Sequence, residues 1–193
     1  MKRAVILHGT DGHPSHNWQP WLKGTLEDYG YTVWNPELPG NHTPNRFVYN
    51  DFLLNSEWDF HDNVLIGHSS GTTSILNLLL DDRCPPIKAA VFVATFFELS
   101  EVLRQRPDVE VSQFDDLFPK DGFDFEKIKQ KCSNFYFIHG DDDEWCPIDL
   151  AQAAHRKLGG VFITIPGGGH IGGQSGITEL PQLIEVLNRD HIL

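Results

Sequence analysis

The segment Gly67-His68-Ser69-Ser70-Gly71 is a pattern built around a nucleophile. A serine hydroxyl attacks a carbonyl carbon only when a neighbouring imidazole takes its proton, and that imidazole needs a carboxylate to fix its tautomer. In G-x-S-x-G the serine sits on a sharp, strained turn, and the flanking glycines are small because a side chain there would collide with neighbouring chain. Ser69 is the candidate nucleophile. The partners of such a serine follow in the order acid, then histidine, at the ends of later strands.

Both partners are present downstream. Phe135–Ile138 is followed by His139-Gly140-Asp141-Asp142-Asp143-Glu144-Trp145-Cys146-Pro147, and Phe162–Ile165 by Pro166-Gly167-Gly168-Gly169-His170. An acid three residues beyond the strand-end glycine and four before a proline is Asp143, with Asp142 the alternative. The other acids read as a solvated loop face, and Cys146 as a small apolar loop residue. His170 is the candidate base, because three glycines before it let its loop approach the serine closely. The tetrahedral intermediate of acyl transfer needs two backbone N–H donors. Ser70, at the positive end of a helix, supplies one. The loop Leu7-His8-Gly9-Thr10-Asp11-Gly12 supplies the other, from Thr10, with Gly9 or Asp11 as alternatives.

The remaining histidines read differently. His68, inside the elbow, is structural. His13 and His16 with Asp11 have metal-like spacing but no third strong ligand, so no metal and no cofactor are expected. His8 and His139 close strands and hydrogen-bond locally, while His42, His61, His155 and His191 read as surface residues.

These residues need a scaffold that gathers strand ends. Apolar runs at Ala4–Leu7, Thr32–Trp34, Val64–Ile66, Ala89–Val93, Phe135–Ile138 and Phe162–Ile165 predict six strands. Helical spacing predicts helices at Asn17–Tyr29, Ser70–Leu80, Ile148–Leu158 and Leu180–Leu187, with a short one near Arg46–Leu54. Gly159-Gly160 stops the Ile148–Leu158 helix. This alternation predicts a mostly parallel sheet with helices on both faces, a three-layer α/β arrangement. Right-handed crossovers then put all strand C-terminal ends on one edge. The segment 96–130, with six phenylalanines, is the candidate for a small cap on an otherwise single domain of residues 1–193.

Composition narrows the partners. With 15 basic against 27 acidic residues the formal charge is −12, which argues against nucleic acid or an anionic membrane surface. Three scattered cysteines suit a reducing compartment. The apolar run after Met1-Lys2-Arg3 is too short for a secretion signal, and no run nears the ~20 residues of a membrane span. A cytoplasmic location is expected, with no protein partner indicated.

The motifs together resemble the small serine hydrolases of the retinoblastoma-binding-protein-9 family, within the α/β-hydrolase superfamily. The matching pieces are His8-Gly9, Asn17-Trp18-Gln19-Pro20-Trp21-Leu22, the elbow, Asp124-Phe125-Glu126-Lys127-Ile128-Lys129, Asp142-Asp143 ahead of Pro147, Gly168-Gly169-His170, and the closing Leu180–Leu187 helix. The resemblance implies a compact α/β-hydrolase fold acting on small carboxylic esters or amides, and the same triad of Ser69, Asp143 and His170. Trp18 and Trp21 are expected to serve helix packing. Cys146 replaces the usual Val before the Pro, and Ile171-Gly172-Gly173 replaces aromatic and acidic residues after the His. An interaction module that retains the fold is the competing expectation.

Overall fold

The computed structural model describes residues 1–193. Its centre is a six-stranded, all-parallel sheet of β1 (Lys2–Leu7), β2 (Tyr31–Trp34), β3 (Val64–His68), β4 (Ala89–Val93), β5 (Phe135–Gly140) and β6 (Val161–Ile165), in the spatial order β2-β1-β3-β4-β5-β6. The α/β reading therefore holds, and every strand runs parallel to its neighbours. The helices are α1 (Gln19–Asp28), α2 (Arg46–Leu54), α3 (Ser70–Leu80), α4 (Glu101–Arg104), α5 (Phe125–Lys131), α6 (Ile148–Leu158) and α7 (Pro181–Arg189).

The strands are apolar throughout because both sheet faces are covered. Alternate side chains feed two cores. Val5, Leu7, Leu65, Phe92, Phe135 and Phe137 meet α2, α3, α5 and α6 on one face. Ala4, Ile6, Val64, Ile66, Val91 and Ile138 meet α1 and α7 on the other. Helix α3 is buried from Ser70 to Leu79, which accounts for its nearly all-apolar second half. Helix α6 ends at Gly159, whose φ of 76° takes the backbone where a side chain would be strained.

The 96–130 segment divides. Phe96, Leu103, Phe114 and Leu117 form a third apolar cluster with Cys146, placed at the C-terminal edge of the sheet. Phe125 and Ile128 of α5 instead join the main core. The registers Leu7↔Gly67, His68↔Val93, Val93↔Ile138 and Gly140↔Ile165 align the strand ends, so the loops after β1, β3, β5 and β6 meet along one edge.

Candidate active site

Ser69 occupies the β3–α3 corner with φ 53° and ψ −125°, a conformation rarely adopted by a non-glycine residue. Its neighbours hold it there. The Ser69 N–H donates to Val93 O at 2.9 Å, and the Thr72 hydroxyl donates to Ser69 O at 2.6 Å. A Cβ on Gly67 would lie 2.6 Å from Thr72 N, and one on Gly71 2.6 Å from His8 O. The glycines of the motif are thus required by close backbone approach. A Cβ on Gly9 would sit 2.8 Å from Ser69 Cβ, which shows how tightly the β1 loop lies against the serine.

At the β5 and β6 ends, His170 Nδ1 lies 2.9 Å from Asp143 Oδ2 and 3.1 Å from Oδ1. Asp143 Oδ1 also accepts from the N–H groups of Trp145 and Cys146, both at 2.9 Å. The Asp143 side chain is fully buried, while His170 is 22 % exposed. Burial alone would push the Asp143 carboxyl up, but the bonds from His170 and the Cys146 amide outweigh it and hold the carboxyl below its ordinary value. With Nδ1 engaged, Nε2 of His170 is left for other work. Ser69 and His170 line the same cavity of about 350 Å³. The β5 and β6 loops pass so closely that a Cβ on Gly140 would meet Gly169 N at 2.7 Å.

The acids beside Asp143 are not simply a solvated face. Asp142 Oδ1 accepts from Gly169 N at 2.7 Å, and Asp141 Oδ1 from Gly167 N at 2.8 Å. Three consecutive aspartates therefore hold three positions of the histidine loop. Two more groups grip that loop from the far side. His68 Nε2 lies 2.9 Å from His170 O, and Trp18 Nε1 donates to Ile171 O at 3.1 Å. Trp18 is fully buried and meets His68 edge-on at 5.9 Å, so it does more than pack a helix. Burial pushes the His68 imidazole down to about 3, which keeps it neutral with its Nε2 proton available to the carbonyl. These braces were missed in the sequence. The usable signal was a run of acids after one strand and a run of glycines after the next, since glycine amides in a loop call for acceptors.

Thr10 also lies in the cavity, and its hydroxyl donates to Ser70 Oγ at 2.9 Å. The Thr10 N–H has no backbone acceptor, and the Ser70 N–H, at the first position of α3, has none within the helix. The Asp11 N–H, by contrast, is taken by Asn41 O at 3.2 Å. Phe96, Leu103, Val109 and Phe114, from the 96–118 part of the insertion, line the same cavity as the serine.

The other histidines have local partners. His8 accepts from Leu38 N through Nε2 at 2.9 Å and faces Gly9 O through Nδ1; burial lowers its pKa. His139 donates through Nε2 to Cys146 O at 2.7 Å and is likewise lowered by burial. His155 is half-buried between Phe137 and Phe162, not at the surface, because α6 lays it across two strand phenylalanines. His13 faces Ser15, and Asp11 turns to His42 at 2.8 Å, so Asp11, His13 and His16 do not converge. Donor atoms of Asp143, Cys146 and His170 do lie within 4.8 Å of one another. The carboxylate and imidazole already satisfy each other, and burial drives the Cys146 thiol well above its ordinary value, away from the thiolate a metal needs.

Known proteins resemble this chain over nearly its whole length. YdeN of Bacillus subtilis (strain 168) is 25 % identical over 187 residues, covering 96 % of this chain and 94 % of that protein. The crystal structure of the B. subtilis ydeN product superimposes with a TM-score of 0.86 at 23 % identity, over 98 % of each chain. Est1E of Butyrivibrio proteoclasticus, solved with ferulic acid bound, shares the fold with a TM-score of 0.70 at 16 % identity, over 100 % of this chain and 88 % of that one. Residues 4–189 match the serine hydrolase family, and the chain belongs to it.

Proposed function

We propose that this chain is a metal-independent serine esterase for small carboxylic esters, with amides as slower substrates. The observation that carries the reading is the buried Asp143–His170 pair on the cavity wall shared with Ser69. His170 Nε2 takes the proton of Ser69 Oγ as that oxygen bonds to the carbonyl carbon. The N–H groups of Thr10 and Ser70 receive the developing oxyanion. The C–O bond to the alcohol then breaks, and His170 returns the proton to the leaving alkoxide. Water, deprotonated by His170, hydrolyses the acyl-serine to a carboxylic acid and free Ser69.

The retinoblastoma-binding-protein-9 type of small hydrolase remains the finer resemblance, supported by the motifs spread along the chain. No helix is long and apolar enough to cross a membrane, and a cytoplasmic enzyme with a small-molecule substrate is the working proposal. Covalent labelling by a fluorophosphonate, lost in Ser69→Ala, tests the mechanism, and p-nitrophenyl esters of increasing acyl length test the substrate class. Hydrolysis should survive EDTA unchanged. A folded protein that neither labels nor hydrolyses any ester would favour the interaction-module reading.

A further inference from the structure

The lining of the catalytic cavity is of two kinds. Phe96, Leu103, Val109 and Phe114 form an apolar wall of buried or half-buried side chains. Asp11, Asp108 and Glu110 form an acidic rim, all three exposed. A smaller cleft of about 260 Å³ shares Trp145 and His170 with it and adds Asp142 and Glu144. No Lys or Arg lines either space. The countercharges nearby are few. Arg106 lies 3.9 Å over the Trp145 ring and is taken up by Asp108 at 2.8 Å, and His42 is paired with Asp11. Glu110 bonds only to the Ser112 hydroxyl, at 2.7 Å.

Resting on the esterase reading above, we propose that the enzyme takes esters with an apolar part and a neutral or cationic remainder, and rejects anionic esters, including acyl donors that carry phosphate groups. An anionic substrate would approach through five carboxylates with no Lys or Arg in the lining to receive it. A cation would be drawn inward, and a field of this kind acts mainly on the rate of encounter, which raises or lowers kcat/KM. The same rim serves the second half of the reaction. Hydrolysis of the acyl-serine by water yields a carboxylic acid that ionises at neutral pH, and the rim repels that product outward.

The test compares p-nitrophenyl esters whose acyl chains differ only at the far end: tert-butyl, its isosteric cation trimethylammonium, and carboxylate. At about 20 mM salt the cationic ester should exceed the neutral one in kcat/KM by about 3-fold, and the anionic ester should fall about 10-fold below it. Both ratios should shrink toward one at about 1 M salt. The double variant Asp108→Asn, Glu110→Gln should bring both ratios closer to one at low salt. Inactivation rates with a neutral and a carboxylate-bearing fluorophosphonate give the same comparison where turnover is slow. Equal rates for anionic and neutral reagents at low salt, or discrimination indifferent to both salt and the double variant, would overturn the substrate class with the esterase intact. A chain that does not label at Ser69 would overturn the esterase reading, and the substrate proposal with it.

Discussion

At the residue scale, the run Asp141-Asp142-Asp143 shows how neighbouring carboxylates acquire different work from their backbone partners. Only Asp143 reaches the imidazole; Asp142 and Asp141 end on the amides of Gly169 and Gly167. Asp143→Asn keeps the shape of the site but misdirects the histidine tautomer, so kcat should fall by up to about 10⁴ with the far-ultraviolet spectrum unchanged. Asp142→Asn keeps an oxygen for Gly169 and should stay near wild type. Asp142→Ala removes that oxygen and should lower kcat about tenfold, because the loop carrying His170 is no longer held. Steady-state kinetics on the three proteins checks the order. If Asp142→Asn proves as damaging as Asp143→Asn, the assignment of the acid is one residue out.

At the element scale, the site depends on how closely β1, β3 and α3 approach, and on the grip of α1 on the histidine loop. Gly71→Ala would press a methyl against the carbonyls of Leu7 and His8, with no flexible side chain to yield. It should cost at least about 3 kcal/mol or prevent folding, measured by urea denaturation. Trp18→Phe keeps most of the buried ring but leaves Ile171 O without its donor. The expected loss is about 1–3 kcal/mol. If the grip also positions His170, kcat should fall while KM for a small ester stays within about twofold. An unchanged kcat would reduce Trp18 to packing alone.

Across the whole molecule, three buried histidines share one electrostatic consequence. His8, His68 and His139 all have their pKa lowered by burial, His68 to about 3. The unfolded chain binds protons on these imidazoles from about pH 6.5 downward, whereas the folded protein takes them up only at lower pH. Stability should therefore be full above about pH 7 and should fall as the pH drops, by up to about 1.4 kcal/mol per pH unit for each histidine, down to its folded pKa. Denaturation midpoints at pH 7.5, 6 and 5 measure the slope. His68→Gln, which retains a donor for His170 O, should flatten it. A slope unaltered in that variant would mean that His68 takes no part.

Much of this architecture could be read directly from residue order. The six strands, α3 and α6 follow from apolar runs and helical spacing, because a parallel sheet covered on both faces demands continuous apolar strands. The β3–α3 corner is a local matter of Gly, Ser, Gly and the turn they permit, so Ser69 could be singled out as the candidate nucleophile before any fold was known. The partnership of Asp143 with His170 depends instead on β5 and β6 being adjacent and on Gly140 letting their loops cross. The roles of Asp142, Trp18 and His68 were hidden for the same reason. Each bonds to a backbone group far away in the chain, and a backbone amide or carbonyl has no letter in the sequence. The split of the 96–130 segment into a cavity wall and a core helix was also a tertiary outcome. Its phenylalanines are equally apolar, and only the position of the sheet edge decides which of them line the cavity of the serine and which fill the core.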